Sequence, residues 1–283
     1  MDNVVVLTDS TADIPSQMAE ALGIAVIPVT ILFGEETFRD RIDITPEEFY
    51  RRLASSSVHP TTSQPSAGDF VEVYRQLSQS AQSIISIHVS SDLSGTLESA
   101  HAAKTQLDSS VPIHIVDSRS TSMGLGFMVL AAAEMAADGM EAAQIAARVE
   151  ALVPQMNVLF VVDTLEYLHK GGRIGGAERY LGSMLRIKPL LHLDNGRIEP
   201  LEKARTKRRA MARLLEIVEE RIGDGRPRGF AVIHATAEEE ALQLKQELEA
   251  RFPGQEPYLC ELSPALGVHT GPGLVGAAFY TEE

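Results

Sequence analysis

The first half of the chain alternates short apolar runs with stretches of helical pattern. The apolar runs occupy residues 4–10, 83–90, 112–118 and 158–164, and each ends in polar or acidic residues. Continuous apolar runs of this length are typical of strands that are buried on both faces of a parallel sheet. Because helical stretches separate the runs, the pattern predicts an α/β domain built on a parallel sheet.

Helix-start signals between the runs support this interpretation. Residues 45–48, Thr-Pro-Glu-Glu, combine an N-cap, a proline at the first helical position and the glutamate of a capping box. Ser66 precedes a second predicted helix, and residues 94–107 and 125–152 complete the set. The helix after Ser66 places its apolar residues on one face: Phe70, Val73, Tyr74 and Leu77.

Residues 24–44 interrupt this alternation. Two strand-like runs flank Gly34-Glu35-Glu36, a combination that is typical of a β-hairpin. A hairpin does not belong to the helix-and-strand alternation of a parallel sheet. We therefore expect this excursion to pack against a second domain.

The pattern of the C-terminal part is different. Asn195-Gly196, the strongest short signal for a hairpin, lies inside the stretch 189–201. The remaining pattern predicts helices at 205–222 and 237–251 and strands at 229–235, 257–262 and 273–280. This order predicts an α+β domain with a largely antiparallel sheet, so we place the two domains at 1–164 and 165–283.

Composition and charge restrict the function classes. The 283 residues are 44% apolar, and 39 acidic against 25 basic residues give a formal net charge of −14, which disfavours nucleic-acid binding. The single cysteine, Cys260, excludes an internal disulfide and a cysteine-based zinc site, and we expect no metal site. The N-terminal residues lack the basic start of a signal peptide, and the most apolar run, 123–133, is too short to span a bilayer. We expect a soluble, cytoplasmic protein.

Polar clusters follow all four apolar runs of the first half, at 8–11, 90–96, 117–121 and 163–164. The carboxyl ends of parallel strands meet at one edge of a sheet, where ligands bind. Helix capping explains any single cluster, but four clusters on one edge favour a ligand crevice. The segment Ser94-Gly95-Thr96 offers a hydroxyl and backbone N–H groups at a helix start, which is typical of an anion site.

Two further segments carry polar side chains in a constrained setting. Residues 60–66 place hydroxyl groups between two prolines, and these could hold a carboxylate, although a linker explains them too. Residues 267–273 surround His269 with glycines and a proline, which predicts a loop that holds the imidazole against a ligand. The alternative is an ordinary surface histidine.

Cations occur in two places in this acidic chain. Lys170 and Arg173 flank a glycine pair, and a second glycine pair follows at 175–176, a pattern that fits either close approach to an anion or a plain turn. The second place is a basic cluster at the start of a predicted helix, which fits either a solvated face or an acidic partner. Its members are Lys203, Arg205, Lys207, Arg208, Arg209 and Arg213.

Motifs for catalysis are absent from the sequence. It contains no Walker sequence, no G-x-S-x-G, no H-E-x-x-H and no kinase signature. We therefore predict a binding protein with no catalytic residue and no cofactor. Two alternatives stay open: an enzyme that acts on a small anionic substrate at the strand-end hydroxyls and His269, and a regulatory module that docks an acidic protein or nucleic acid through the basic cluster.

The chain resembles the DegV family of bacterial lipid-binding proteins in seven ordered motifs that span it. They are TDSTADI at 8–14, TTSQPS at 61–66, SSDLSGT at 90–96, VDSRSTSMGLG at 116–126, LEYLHKGGRIG at 165–175, KARTKRRA at 203–210 and GVHTGPG at 267–273. The resemblance implies a two-domain α/β protein that buries one long-chain fatty acid, such as palmitate, between the domains. It also implies an acyl-binding subunit that collects its ligand at the membrane in a transient contact. A separate ATP-binding fatty acid kinase then phosphorylates the carboxyl group.

The resemblance also implies roles for individual residues. The fatty acid carboxylate is expected at six positions: Thr62, Ser63, Ser94, Gly95, His269 and Thr270. Arg173 and Arg205 are expected at the rim of the head-group site, where they engage the kinase or the transferred phosphate. We expect residues 24–33 and 123–129 to supply apolar lining for the acyl chain.

Overall fold

The computed structural model describes residues 3–108 and 110–281. Its strands are β1 (Val4–Asp9), β2 (Ala25–Ile27), β3 (Thr30–Phe33), β4 (Glu36–Arg39), β5 (Thr61–Ser63), β6 (Ser83–His88), β7 (Ile113–Asp117), β8 (Asn157–Val161), β9 (Lys188–Asp194), β10 (Arg197–Ala204), β11 (Pro227–His234), β12 (Tyr258–Glu261) and β13 (Val275–Thr281). Its α-helices are α1 (Ser16–Ala21), α2 (Pro46–Ser55), α3 (Ala67–Leu77), α4 (Thr96–Gln106), α5 (Ser122–Ala137), α6 (Ala142–Leu152), α7 (Glu166–Lys170), α8 (Lys207–Ile222), α9 (Glu238–Arg251) and α10 (Pro264–Thr270). Within these ranges, none of the helices is long and apolar enough to cross a membrane.

The first sheet is parallel, with the strand order β2-β1-β6-β7. Every residue of β6 is buried, because helices cover both faces of the sheet. Neighbouring isoleucines of β6 point to opposite faces: Ile84 packs with Phe70 and Tyr74 of α3, whereas Ile85 packs with α5. The continuous apolar run that predicted a parallel strand here is therefore confirmed.

A small antiparallel sheet with the order β4-β3-β5 lies beside the parallel one. β3 and β4 form the predicted hairpin, with Phe33 opposite Glu36 and Gly34 at a positive φ of 63° in the turn. β5 adds to the other side of β3 and brings Thr62 opposite Ile31. This sheet contacts helix α10 from the end of the chain.

The third sheet has six strands in the order β10-β9-β8-β13-β11-β12 and is mostly antiparallel. The Asn195-Gly196 hairpin is confirmed, since β9 and β10 pair antiparallel and both turn residues have positive φ. The molecule is thus a mixed α/β fold with a parallel sheet and a mostly antiparallel sheet.

Strand β8 corrects one expectation. The run at 158–164 was predicted as a parallel strand of the first sheet, but β8 pairs antiparallel with β9 and β13 of the third. Its residues 158–161 are nonetheless buried, because α5 contacts one side of the strand and α8 contacts it as well. Coverage on both faces, rather than parallel pairing, produces the continuous apolar run. The domain boundary at residue 165 stays a prediction.

Candidate functional site

A cavity lies between the parallel sheet and the six-stranded sheet. It comprises about 850 Å³ of space outside protein atoms, open solvent at its mouth included. Most of its lining is apolar and comes from widely separated parts of the chain, including Val29, Val158, Phe160, Ile198, Ile233 and Leu274.

Thr62 and His269 meet at the wall of this cavity. Thr62 Oγ1 and His269 Nε2 are 2.8 Å apart, within hydrogen-bond distance. Thr62 faces the cavity because adjacent strand residues point to opposite faces, which leaves Ser63 exposed on the outside of β5. The Ser63 hydroxyl donates instead to the Gln64 carbonyl at 3.4 Å, and Ser63 does not line the cavity.

The segment around His269 is a helix, which corrects the predicted glycine-rich loop. Ser263 caps α10 by accepting a hydrogen bond from the Leu266 N–H, and Pro264 occupies the first helical position. The helix ends at Gly271, whose φ is 70°. His269 and Thr270 therefore lie in the last turn of α10, and both line the cavity.

The His269 side chain is held in its neutral form. Burial, and to a smaller extent the positive charge of Arg173, lower the pKa of His269 to about 3. The Nδ1 atom has no hydrogen-bond partner among the described residues, and it faces the α-carbon of Gly171. A methyl group on Gly171 would collide with the imidazole, so this glycine permits the approach of His269 to Thr62.

Ser94 and Gly95 lie at the start of helix α4. The Ser94 hydroxyl lines the cavity, hydrogen-bonds to the Thr96 hydroxyl at 2.8 Å and accepts from the Thr96 N–H at 3.3 Å. Gly95 is the N-cap residue and does not itself line the cavity. The Gln64 amide lies where a side chain of Gly95 would be, and Gln64 lines the cavity. The glycine therefore makes room for Gln64.

Arg173 connects the end of α7 to the first half of the chain. Gly172, at a φ of 70°, reverses the backbone so that the Arg173 N–H donates to the Leu168 carbonyl at 2.9 Å. The guanidinium Nε donates to the Leu93 carbonyl at 3.0 Å, and Nη1 donates to the Gly171 carbonyl at 2.7 Å. Arg173 lines the cavity, and partial burial lowers its pKa. A positive charge therefore lies beside the hydroxyls and the imidazole.

Arg205 is outside this group. It is exposed in the turn between β10 and α8 and does not line the cavity. Two other members of the basic cluster are neutralised within the chain: Lys207 pairs with Glu240, and Arg213 pairs with three glutamates. Arg208 and Arg209 are exposed beside Arg205 at the start of α8. The cluster therefore divides into an internally paired part and an exposed part.

Comparison with known proteins identifies the family. The model of the DegV family, described as uncharacterised proteins, matches residues 3–282. The chain belongs to the DegV family. It is 39% identical over 275 residues to the protein DegV of Bacillus subtilis, which covers 97% of this chain and 98% of that protein.

Solved structures of DegV proteins have the same fold. A DegV family protein from Thermus thermophilus, described for its fatty acid binding, superposes with a TM-score of 0.93 at 35% identity and covers 99% of this chain and 100% of that one. DegV from Bacillus subtilis, described as a fatty acid binding protein, superposes with a TM-score of 0.92 at 38% identity and covers 100% of both chains.

Several lining residues of this DegV family chain were missed by the sequence analysis. Gln64 and Ser122 lie inside quoted motifs but were assigned no role, and Thr11 and Thr121 were considered only as members of strand-end clusters and motifs. The apolar lining was predicted in part: Val29 contributes from 24–33, but 123–129 does not line the cavity. Helix α5 is buried there in the core between the sheets, and an all-apolar pattern does not distinguish core from lining.

A second constellation in this DegV family chain has the residue types of a serine hydrolase. Ser86 Oγ lies 2.6 Å from His88 Nε2, and His88 Nδ1 lies 3.1 Å from Asp9 Oδ2. All three residues are 0% exposed, and the Tyr74 hydroxyl hydrogen-bonds to Ser86 Oγ at 2.9 Å. A serine without accessible surface cannot attack a substrate. The hydrogen bonds among Ser86, His88 and Asp9 therefore satisfy buried polar groups and do not form a catalytic triad. Within 3–108 and 110–281, no group of three or more His, Cys, Asp or Glu side chains is placed to hold a metal ion.

Proposed function

We propose that this chain binds a long-chain fatty acid in the cavity between its two main sheets. The observation that carries the proposal is a mostly apolar cavity that includes a compact polar set, with Thr62 and His269 in contact and Ser94 and Arg173 on the same lining. The fatty acid binding described for the proteins from Thermus thermophilus and Bacillus subtilis supports it. The acyl chain lies along the apolar lining, and the carboxylate lies at the polar set.

The two parts of such a ligand contribute differently to affinity. Each buried methylene contributes about 0.8 kcal/mol, so the acyl chain supplies most of the binding free energy. The carboxylate needs hydrogen-bond donors because a buried charge without partners is costly. Hydroxyl groups of Thr62 and Ser94 supply donors, and the nearby Arg173 guanidinium supplies a compensating charge.

The neutral imidazole sets the direction of the hydrogen bond to Thr62. A tautomer protonated at Nε2 donates to Thr62 Oγ1, which leaves the threonine hydroxyl proton free to donate to a carboxylate. The opposite tautomer would consume that proton. We propose the form protonated at Nε2, in which His269 orients Thr62 toward the ligand without adding a positive charge to the site.

The bound fatty acid is presented to a partner that carries out the chemistry. We assign the ATP-dependent step to a separate fatty acid kinase, and the exposed arginines Arg205, Arg208 and Arg209 to its docking or to the transferred phosphate. Arg173 reaches the head group from the cavity wall. The protein resides in the cytoplasm and collects its ligand in a transient contact with the membrane. No catalytic step is assigned to this chain.

A titration with matched ligands tests the proposal. Delipidated protein should bind palmitate, and palmitic acid methyl ester, which lacks the charged head group, should bind at least tenfold more weakly, as expected when hydrogen bonds to a charged group are lost. Equal affinity for the two would place the carboxylate outside the polar set. No binding of palmitate would contradict the function itself.

A further inference from the structure

Three charged residues from the first half of the chain hold the segment that leads into helix α10. Asp13 Oδ1 accepts from the Ser263 N–H at 2.9 Å, and Arg41 Nη2 donates to the Glu261 carbonyl at 2.7 Å. Asp40 Oδ1 accepts from the Ala265 N–H at 3.3 Å. Asp13 and Asp40 are 3% and 1% exposed, so these contacts are made in the interior.

This cluster holds the first turn of the same short helix whose last turn carries His269 into the ligand cavity. The seven residues of α10 span about 10 Å, with Ala265 in the first turn and His269 in the last. Ala265, Leu266, His269 and Thr270 all line the cavity. A displacement of the first turn therefore moves the imidazole away from Thr62.

The charges of the cluster are unbalanced. One guanidinium, Arg41, contacts Asp13 at 3.2 Å and faces Asp40 as well, so two buried carboxyl groups share one cation. Asp13 accepts from Ser122, Ser263 and Arg41. Among the described residues, Asp40 Oδ2 has no partner of normal hydrogen-bond geometry, although Ser10 faces the carboxyl group. Burial raises the pKa of Asp40 to about 7. Other titratable groups packed around the cluster are Tyr50, Cys260 and Glu261.

We propose that Asp40 is a positioning residue for His269: by holding the first turn of α10 it closes the ligand cavity, and its ionisation loosens that closure. The palmitate measurement rests on the proposed fatty acid binding. The coupling between Asp40 and the position of α10 does not require a ligand. When Asp40 is protonated, the cluster holds one carboxylate and one guanidinium. When Asp40 is ionised, the interior holds an excess negative charge, which favours an arrangement in which α10 separates and water reaches the carboxylate.

Linkage fixes the sign and the size of the effect. Asp40 binds its proton more tightly in the closed arrangement than in a hydrated one, so raising the pH through the range below about 7 favours opening. The opening equilibrium changes by at most about tenfold per pH unit below that value and levels off above it. Between pH 6 and pH 8 the expected total increase is roughly tenfold.

The test measures dissociation of palmitate from loaded protein into excess albumin between pH 6 and pH 8. The wild-type rate should rise up to about tenfold relative to the rate of Asp40→Asn, which keeps the acceptor for the Ala265 N–H and cannot ionise. Dividing the wild-type rate by the Asp40→Asn rate at each pH cancels the effect of ionisation of the fatty acid carboxyl group, which is common to both proteins. The control is Asp43→Asn, because Asp43 is outside the buried cluster and its pKa is already lowered to about 2 by Arg39. Asp43→Asn should keep the wild-type rise; a constant ratio of wild-type to Asp40→Asn, or loss of the rise in Asp43→Asn as well, overturns the proposal.

A second measurement separates this proposal from the proposed function. Hydrogen exchange of the amides of α10 in ligand-free protein should show protection that falls with pH in the wild type relative to Asp40→Asn. A flat ratio overturns the positioning role even if palmitate binds, whereas absence of palmitate binding at pH 6 overturns only the function. If Asp40→Asn does not fold, the carboxyl ¹³C signal of Asp40 in the wild type serves instead: it should titrate together with the imidazole signals of His269, and independent titrations would overturn the coupling.

Discussion

Thr62 and His269 are 207 residues apart in the chain, yet Thr62 Oγ1 and His269 Nε2 are 2.8 Å apart. The contact joins a strand of the small antiparallel sheet to the last turn of α10. It lies on the wall of the cavity between the two main sheets. Thr62 therefore hydrogen-bonds to a neutral imidazole at the cavity wall, and the first prediction concerns the threonine hydroxyl.

Thr62→Val removes the hydroxyl and keeps the shape of the side chain. Palmitate should bind roughly 10- to 100-fold more weakly, since a hydrogen bond to a charged group is lost. Ser63→Ala is the matched control, because Ser63 is the exposed neighbour on the same strand. Isothermal titration calorimetry of both variants with palmitate checks this. An equal loss of affinity in both would contradict the assignment of Thr62, and not Ser63, to the cavity side of β5.

Gly171→Ala tests the positioning of His269 without changing any polar group. The added methyl group collides with the imidazole, so the Thr62–His269 contact should break and palmitate affinity should fall. Gly68→Ala serves as the control because a methyl group there makes only an ordinary contact with Ser66. A crystal structure or the His269 NMR signals would report the displacement. Unchanged palmitate affinity in a variant whose imidazole is displaced would show that His269 does not contribute to binding of the head group.

Ser94→Ala and Arg205→Ala should affect different steps. Ser94 lines the cavity, so its loss should speed ligand release, whereas exposed Arg205 should leave binding intact. With a partner kinase and ATP, Arg205→Ala should lower acyl phosphate formation from protein that is fully loaded. Loss of binding in both variants would contradict the separation between the head-group site and the docking surface.

The buried neutral state of His269 predicts how stability depends on pH. The pKa of His269 is about 3 in the folded protein and returns to its ordinary value on unfolding, so the unfolded state binds more protons between these values. Stability should therefore fall as the pH falls from about 6.5 toward 4, by up to a few kcal/mol from this group. Urea unfolding of the wild type and His269→Asn should show a smaller decline in the variant. An identical decline in both would show that His269 is not held neutral.

Local patterns predicted the fold better than the site. The hairpins at 34–36 and 195–196 and the helices starting at Pro46 and after Ser66 were predicted because turn glycines and caps act over a few residues. The sequence did not predict which sheet contains β8. An antiparallel strand that is covered on both faces has the same continuous apolar run as a parallel strand.

The site depends on contacts that no local pattern encodes. Thr62, Ser94, Arg173, His269 and Thr270 all reach the cavity, and motifs rather than spacing identified them. Sequence did not separate Thr62 from Ser63, since only the pairing of β5 decides which of them faces inward. The buried cluster around Asp40 produced no signal, because its contacts with the segment that leads into α10 join residues more than 200 positions apart.

Native mass spectrometry of the purified protein, followed by lipid extraction, tests the central claim most directly. The protein should carry one long-chain fatty acid per chain, and Thr62→Val should carry it at lower occupancy. Delipidated protein should regain that mass, and a higher melting temperature, when palmitate is added. A chain that carries no acyl ligand and gains neither mass nor thermal stability with added fatty acid would contradict the account.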